Sequence, residues 1–167
     1  VTEPSSRAAR RTASGAPGER WIQFQASRPA AADLVRFHTS EKVSLLARSR
    51  VLYDLLGRLV AGVERGSFEE RVRRYGELYT EAMSIAPTRS GHTDALQHLA
   101  GRLKRLIPAD DRADLARLIT GYRAGELPLE APLERLRRHF GVHPDEWAAA
   151  QSYLHPDPGE PEPRGDA

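Results

Sequence analysis

The chain has 167 residues, 40% hydrophobic and 29% charged, a balance that suits one domain with a buried core, and no apolar run nears the ~18 residues that span a bilayer. Having no cysteine, it cannot carry a disulfide, a thiolate nucleophile, a cysteine-type zinc site or a cysteine-held iron–sulfur cluster. The net charge is +2, but Asp157, Glu160, Glu162 and Asp166 outweigh Arg164 near the end, so the body is mildly basic. Of the 25 basic residues only Lys42 and Lys104 are lysine. Arginine's flat donor fork suits phosphate and base stacking, although GC-rich coding explains an arginine excess equally well.

Residues 1–20 are rich in Ser, Ala, Arg, Gly and Pro without periodicity and are expected to be flexible. Arg7, Arg10 and Arg11 are followed by no apolar block of the secretory kind, which makes the cytoplasm the expected compartment. Residues 21–155 are expected to form one all-α domain, a compact bundle of about six or seven short helices with mostly antiparallel neighbours. Residues 156–167 read as a flexible acidic tail.

The first helix is predicted from about Pro29 to Ala47, with Ser27 as its cap. Ser49 caps a second, from about Arg50 to Val63, ended by Gly66. The run Ser67-Phe68-Glu69-Glu70 is a capping box that opens a third helix, Phe68 to about Ile85, stopped by Pro87. Thr88 caps a fourth, to about Ile107, closed by Pro108. Asp110 or Asp111 opens a fifth, to Ala124, with Gly125 in the C-terminal position. A sixth covers about Ala131 to Phe140, and a short seventh follows His143-Pro144-Asp145 toward Tyr153.

Advancing about 100° per residue along the first helix puts Leu34, Val35, His38, Lys42, Leu45 and Leu46 on one arc, with Phe37 and Glu41 on its flank. His38, Glu41 and Lys42 thus interrupt a core-facing stripe, where polar groups need partners or a cavity. A structural reading makes Glu41 and Lys42 a rim and His38 a hydrogen-bonded core residue. The functional reading makes them a site. On the fourth helix His92 lies within the stripe of Leu96, Leu99, Leu103 and Ile107, placing it to face His38. Arg89, in the first turn, is a candidate anion ligand or a solvated terminus, and His98 reads as a surface partner of Asp94 and Arg102. The fifth helix packs Leu115, Leu118, Ile119 and Tyr122 and carries Arg112 and Arg123 at one edge. His139 and His143 have metal-pair spacing, but Gly141 and Pro144 break the helix that would align them, so neither a metal nor a cofactor is expected.

The blocks Leu34-Val35-Arg36-Phe37-His38-Thr39-Ser40-Glu41-Lys42, Pro87-Thr88-Arg89-Ser90-Gly91-His92 through Gly101, and Tyr122-Arg123-Ala124-Gly125-Glu126-Leu127-Pro128-Leu129 resemble the YbgA-like bacterial family in order and spacing. Members of that family stand alone or follow a cysteine-dependent thiouracil or 4-thiouridine desulfidase domain, so the resemblance implies an RNA-binding part that delivers tRNA to a separate or fused desulfidase. The family's Arg-x-His-Thr-x-x-Lys falls on Arg36, His38, Thr39 and Lys42, its Thr-Arg-x-x-His on Thr88, Arg89 and His92, its next histidine on His98, and its Tyr-Arg on Tyr122 and Arg123. Two positions depart from it. Asp94 stands where relatives have Asn, and Gly101-Arg102-Leu103 where they have Gly-Tyr-Phe, which leaves the Arg102 guanidinium in place of stacking aromatics.

Three functions follow as expectations. The first is RNA binding, tRNA foremost, with Arg36, Lys42, Arg89, Arg102, Arg105 and Arg123 on phosphates and Thr39, Tyr122 or the histidines 38, 92 and 98 on an exposed nucleotide. The second is a small enzyme with His38, Glu41, Lys42 and His92 as an acid–base cluster between the first and fourth helices. The third is a helical protein–protein adaptor.

Overall fold

A computed structural model describes residues 17–62 and 66–155. Their order is α1 (Pro17–Ala26), α2 (Ala31–Arg48), α3 (Arg50–Val60), α4 (Phe68–Ser84), α5 (Arg89–Leu103), α6 (Ala109–Ala124), α7 (Glu130–Val142), α8 (Glu146–Ala149) and a closing 3-10 turn, Ser152–Leu154. The fold is all-α, as the periodicity predicts, with no strand among the described residues. The expected flexibility of residues 1–16 and 156–167, and the predicted end of the second helix at Val63, lie outside the described residues.

The capping chemistry explains most boundaries. Ser49 Oγ accepts from the Leu52 amide, Thr88 Oγ1 from that of Gly91, and Ser67 and Glu70 satisfy each other's backbone amides. Gly125 turns α6 off in the left-handed region at φ 80°, a conformation that only glycine adopts at little cost.

Four expectations are corrected. The tract predicted flexible through residue 20 is helical from Pro17, because Trp21 and Phe24 bury their rings against α2 and α4. Ser27 does not cap α2; its hydroxyl donates to Phe24 O and closes α1, while the Asp33 carboxylate accepts from the Ala30 amide at the start of α2. Helix α3 ends at Val60, with a turn at Gly62 (φ 69°), and α5 ends at Leu103, so Ile107 lies in the following turn, still buried.

Helix α2 is the shared wall of two apolar cores. Leu34 and Leu45 join Trp21, Phe24, Leu52, Leu56, Tyr75 and Tyr79 on one side. Val43 and Ala47, about 180–220° round the helix from Leu34, join the core of α5 to α8 on the other. Helix α5 comes close against α2 at Gly91, where a Cβ would stand 2.0 Å from Ala47 O. A helix buried on two sides has no single stripe. That is why Val35, assigned to the core from its angle, is 46% exposed, while Val43, outside the predicted arc, is fully buried.

Candidate functional site

Glu41 is 1% exposed, and each of its oxygens has a donor: Arg20 Nε at 2.9 Å on Oε1, and Arg20 Nη2 at 3.1 Å with the Tyr79 hydroxyl at 3.0 Å on Oε2. The forked guanidinium clamp holds α1 onto α2, and the tyrosine ties both to α4. Arg20 escaped the sequence reading because it sits in a tract that looked unstructured. The available signal was the Trp21 and Phe24 pair, three residues apart, one turn after Pro17, a proline that suits a helix start.

His38 and His92 do not face each other. His38 Nδ1 lies 3.1 Å from the Tyr75 hydroxyl, in the core of α1 to α4. His92 Nδ1 lies 2.6 Å from the Tyr153 hydroxyl, in the other core, with its ring edge-on to Tyr122 and its Nε2 without a hydrogen bond among the described residues. Burial lowers both imidazoles to about 4, helped by the positive charge of Lys42 on His38 and of Arg48 on His92. Both rings are therefore neutral at pH 7. The four-residue cluster expected between the first and fourth predicted helices is not assembled. Glu41 is committed to Arg20, the histidines are committed to tyrosines in different cores, and Lys42 lies half-buried at a cleft.

Arg89 is also engaged by the protein: Nη1 donates to Tyr122 O at 2.7 Å and the guanidinium lies 5.0 Å from the centre of the Tyr122 ring. It fastens the start of α5 to the end of α6. Tyr122 itself is buried, and Thr39 is half-buried with its carbonyl accepting from Gln151 Nε2. Arg36 is exposed and paired with Asp33, and Arg105 and Arg123 are exposed.

What the structure brings together is Lys42, His98 and Arg102. They line an open cleft of ≈ 530 Å³ with Tyr53, Gln97 and Trp147; Gly101 completes the lining without a side chain. Arg102 donates through Nε and Nη2 to Asp145 Oδ2, at 3.2 and 2.7 Å, and lies 5.1 Å from the Trp147 ring centre. The same Asp145 caps α8 by accepting from the Ala148 amide, so one carboxylate fixes both the helix and the arginine that stacks on it. Asp145 is held below its usual value; the hydrogen bonds from Ala148 and Arg102 outweigh the opposing effect of burial, the largest single influence. The His98 ring packs 5.5 Å from that of Trp147, and no ion pair of His98 with Asp94 forms among the described residues.

The sequence reading missed Tyr53, Gln97 and Trp147. Trp147 was legible only as an aromatic in a short helix behind an aspartate cap, and nothing local says which helix it meets. His139 is buried at the end of α7, which runs through Gly141 to Val142, and no group of three or more metal-ligating side chains forms among the described residues. Among the described residues no helix is long and apolar enough to cross a membrane.

No solved structure matches this chain. It is 32% identical over 122 residues, 72% of each chain, to an uncharacterized protein, YbgA, of Escherichia coli (strain K12). The sequence profile of the family described as "Protein of unknown function (DUF1722)" matches residues 42–158, which takes in the C-terminal part of α2 and everything from α3 to the closing turn. The chain belongs to this YbgA-like, DUF1722 family.

Proposed function

We propose that the domain is an RNA-binding module that takes tRNA, acts in the cytoplasm, and works beside a thionucleoside desulfidase in removing 4-thiouridine. The observation that carries the binding is the cleft. Its lining brings Lys42 and Arg102 beside Tyr53 and Trp147 and contains no carboxylate, a combination that serves a phosphate and a planar base at once. The tRNA substrate and the desulfidase partner are supported by the family resemblance. Desulfidation resting on cysteine-held iron–sulfur chemistry belongs to the other polypeptide or domain, since this chain has no cysteine.

Binding is favoured over acid–base catalysis because Glu41 and the Nδ1 atoms of His38 and His92 are engaged by protein partners inside the two cores. The test is a salt titration of affinity for bulk tRNA, with Lys42→Gln and Trp147→Ala as variants whose fold is verified by circular dichroism. Each phosphate contact on a single-stranded segment contributes about −0.7 to the log–log slope, and losing one stacked base costs about 1–3 kcal/mol. No measurable binding at low salt, or wild-type affinity in both variants, overturns the proposal.

A further inference from the structure

His98 stands in the cleft among three cations. Lys42 reaches it from α2, Arg50 from the start of α3, and Arg102 from one turn along α5; with partial burial, the largest influence, they hold the imidazole below its usual value. Nearby carboxylates are otherwise engaged: Asp145 by Arg102, Asp54 by Arg50, and Glu41 by Arg20. Asp94, four residues earlier on α5, is exposed and forms no ion pair with His98 among the described residues. The His98 ring makes no hydrogen bond among the described residues, and Lys42 and Gln97 present an ammonium and an amide that are equally unengaged. At Gly101 a Cβ would meet nothing within 4 Å, so the floor there is open. The cleft's ≈ 530 Å³ lies within the size range of small-ligand pockets, and its open side leaves room for a strand to enter and leave.

We propose that this cleft is a subsite for one unpaired nucleotide with its backbone phosphate, and that His98 is the group that answers the phosphate by taking up a proton. The inference rests on the RNA-binding reading above. A phosphodiester among Lys42, Arg50 and Arg102 cancels the field that disfavours the imidazolium and offers it a charge-assisted hydrogen bond. The filled cleft therefore binds a proton more tightly than the empty one. By linkage, the nucleotide binds more tightly as pH falls between the two values and stops gaining below the lower one. His38 and His92, at about 4, do not titrate in that window.

The experiment is calorimetric titration of the whole chain with tetrauridylate carrying hydroxyl ends, because diester phosphates do not themselves titrate near neutrality. It is run from pH 6 to 8 in two buffers of different ionisation enthalpy. The expected result is uptake of a fraction of a proton per bound strand and affinity at least threefold higher at pH 6 than at pH 8. In His98→Gln, a change at an exposed position, uptake should vanish and the pH profile flatten. Uridine, which lacks the phosphate, should take up no proton. Absence of uptake in the wild type, equal uptake in His98→Gln, or failure of tetrauridylate to bind overturns the inference. If tRNA still binds in any of those cases, the RNA-binding reading stands without it; if tRNA also fails at low salt, both fall.

Discussion

Replacing Glu41 by Gln keeps the shape of the side chain and removes the charge that faces the Arg20 guanidinium, 3% exposed. Two charge-assisted bonds from Arg20 and one from Tyr79 converge on this carboxylate, so the loss is that of a buried pair broken from one side, about 3–5 kcal/mol. Domains of this size carry about 5–15 kcal/mol in total, and each kcal/mol is about 2–4 °C of Tm, so the variant should melt roughly 6–20 °C lower. The double variant Arg20→Met, Glu41→Leu should recover most of the loss, because a packed apolar pair replaces two desolvated charges. Urea unfolding followed by far-UV circular dichroism on the wild type, Glu41→Gln, the singles Arg20→Met and Glu41→Leu, and the double variant closes the cycle. A single-variant loss under about 1 kcal/mol, or a double variant destabilised by the sum of the singles, would refute the assignment of a coupled buried pair.

Stability should fall on acidification for a reason located in two rings. His38 and His92 are held at about 4 in the folded chain against about 6.5 unfolded, so the unfolded state binds the extra protons. Their contribution is complete above pH 6.5, declines by up to about 1.4 kcal/mol per pH unit per histidine toward pH 4, and levels off below that. Urea midpoints measured at half-unit steps, with His38→Gln and His92→Gln each flattening the curve, test this. Gly91→Ala should destabilise strongly, beyond the ~1–3 kcal/mol of ordinary overpacking, because the new methyl would meet the fixed carbonyl of Ala47 at 2.0 Å; wild-type Tm would contradict the close α2–α5 crossing. Arg89→Ala should cost about 1.5–3 kcal/mol of stability through its bond to Tyr122 O and leave tRNA affinity per folded molecule unchanged; lost affinity in a stable variant would place Arg89 on the RNA.

Where boundaries depend on local chemistry they were legible. Ser49, the Ser67–Glu70 box, Thr88 and Gly125 act on backbone groups three or four residues away, within reach of sequence reasoning. The polar interruptions of α2 were also legible as exceptions. Their partners were not, because Tyr75, Tyr79 and Arg20 come from elements 21 to 38 positions away and hydrogen-bond partners at that distance leave no periodic trace. The supposed facing of His38 and His92 failed for a related reason: α2 meets α5 through Val43 and Ala47, on a side outside the single predicted stripe. Of the cleft, Lys42, His98 and Arg102 could be named in advance, but their convergence with Trp147 depends on where α8 folds back.

The family match begins at residue 42, in the middle of α2, yet the rod it enters is indivisible. A fragment cut there would lose Leu34, His38 and Glu41 with α1, stripping one core of its wall and leaving the Tyr75 and Tyr79 hydroxyls facing a hole. The remaining turns of α2 would still have to present Lys42 to the cleft from a frayed end. For anyone truncating members of this family, the boundary of recognisable sequence is therefore not the boundary of a foldable unit. The piece that retains both cores starts no later than Pro17.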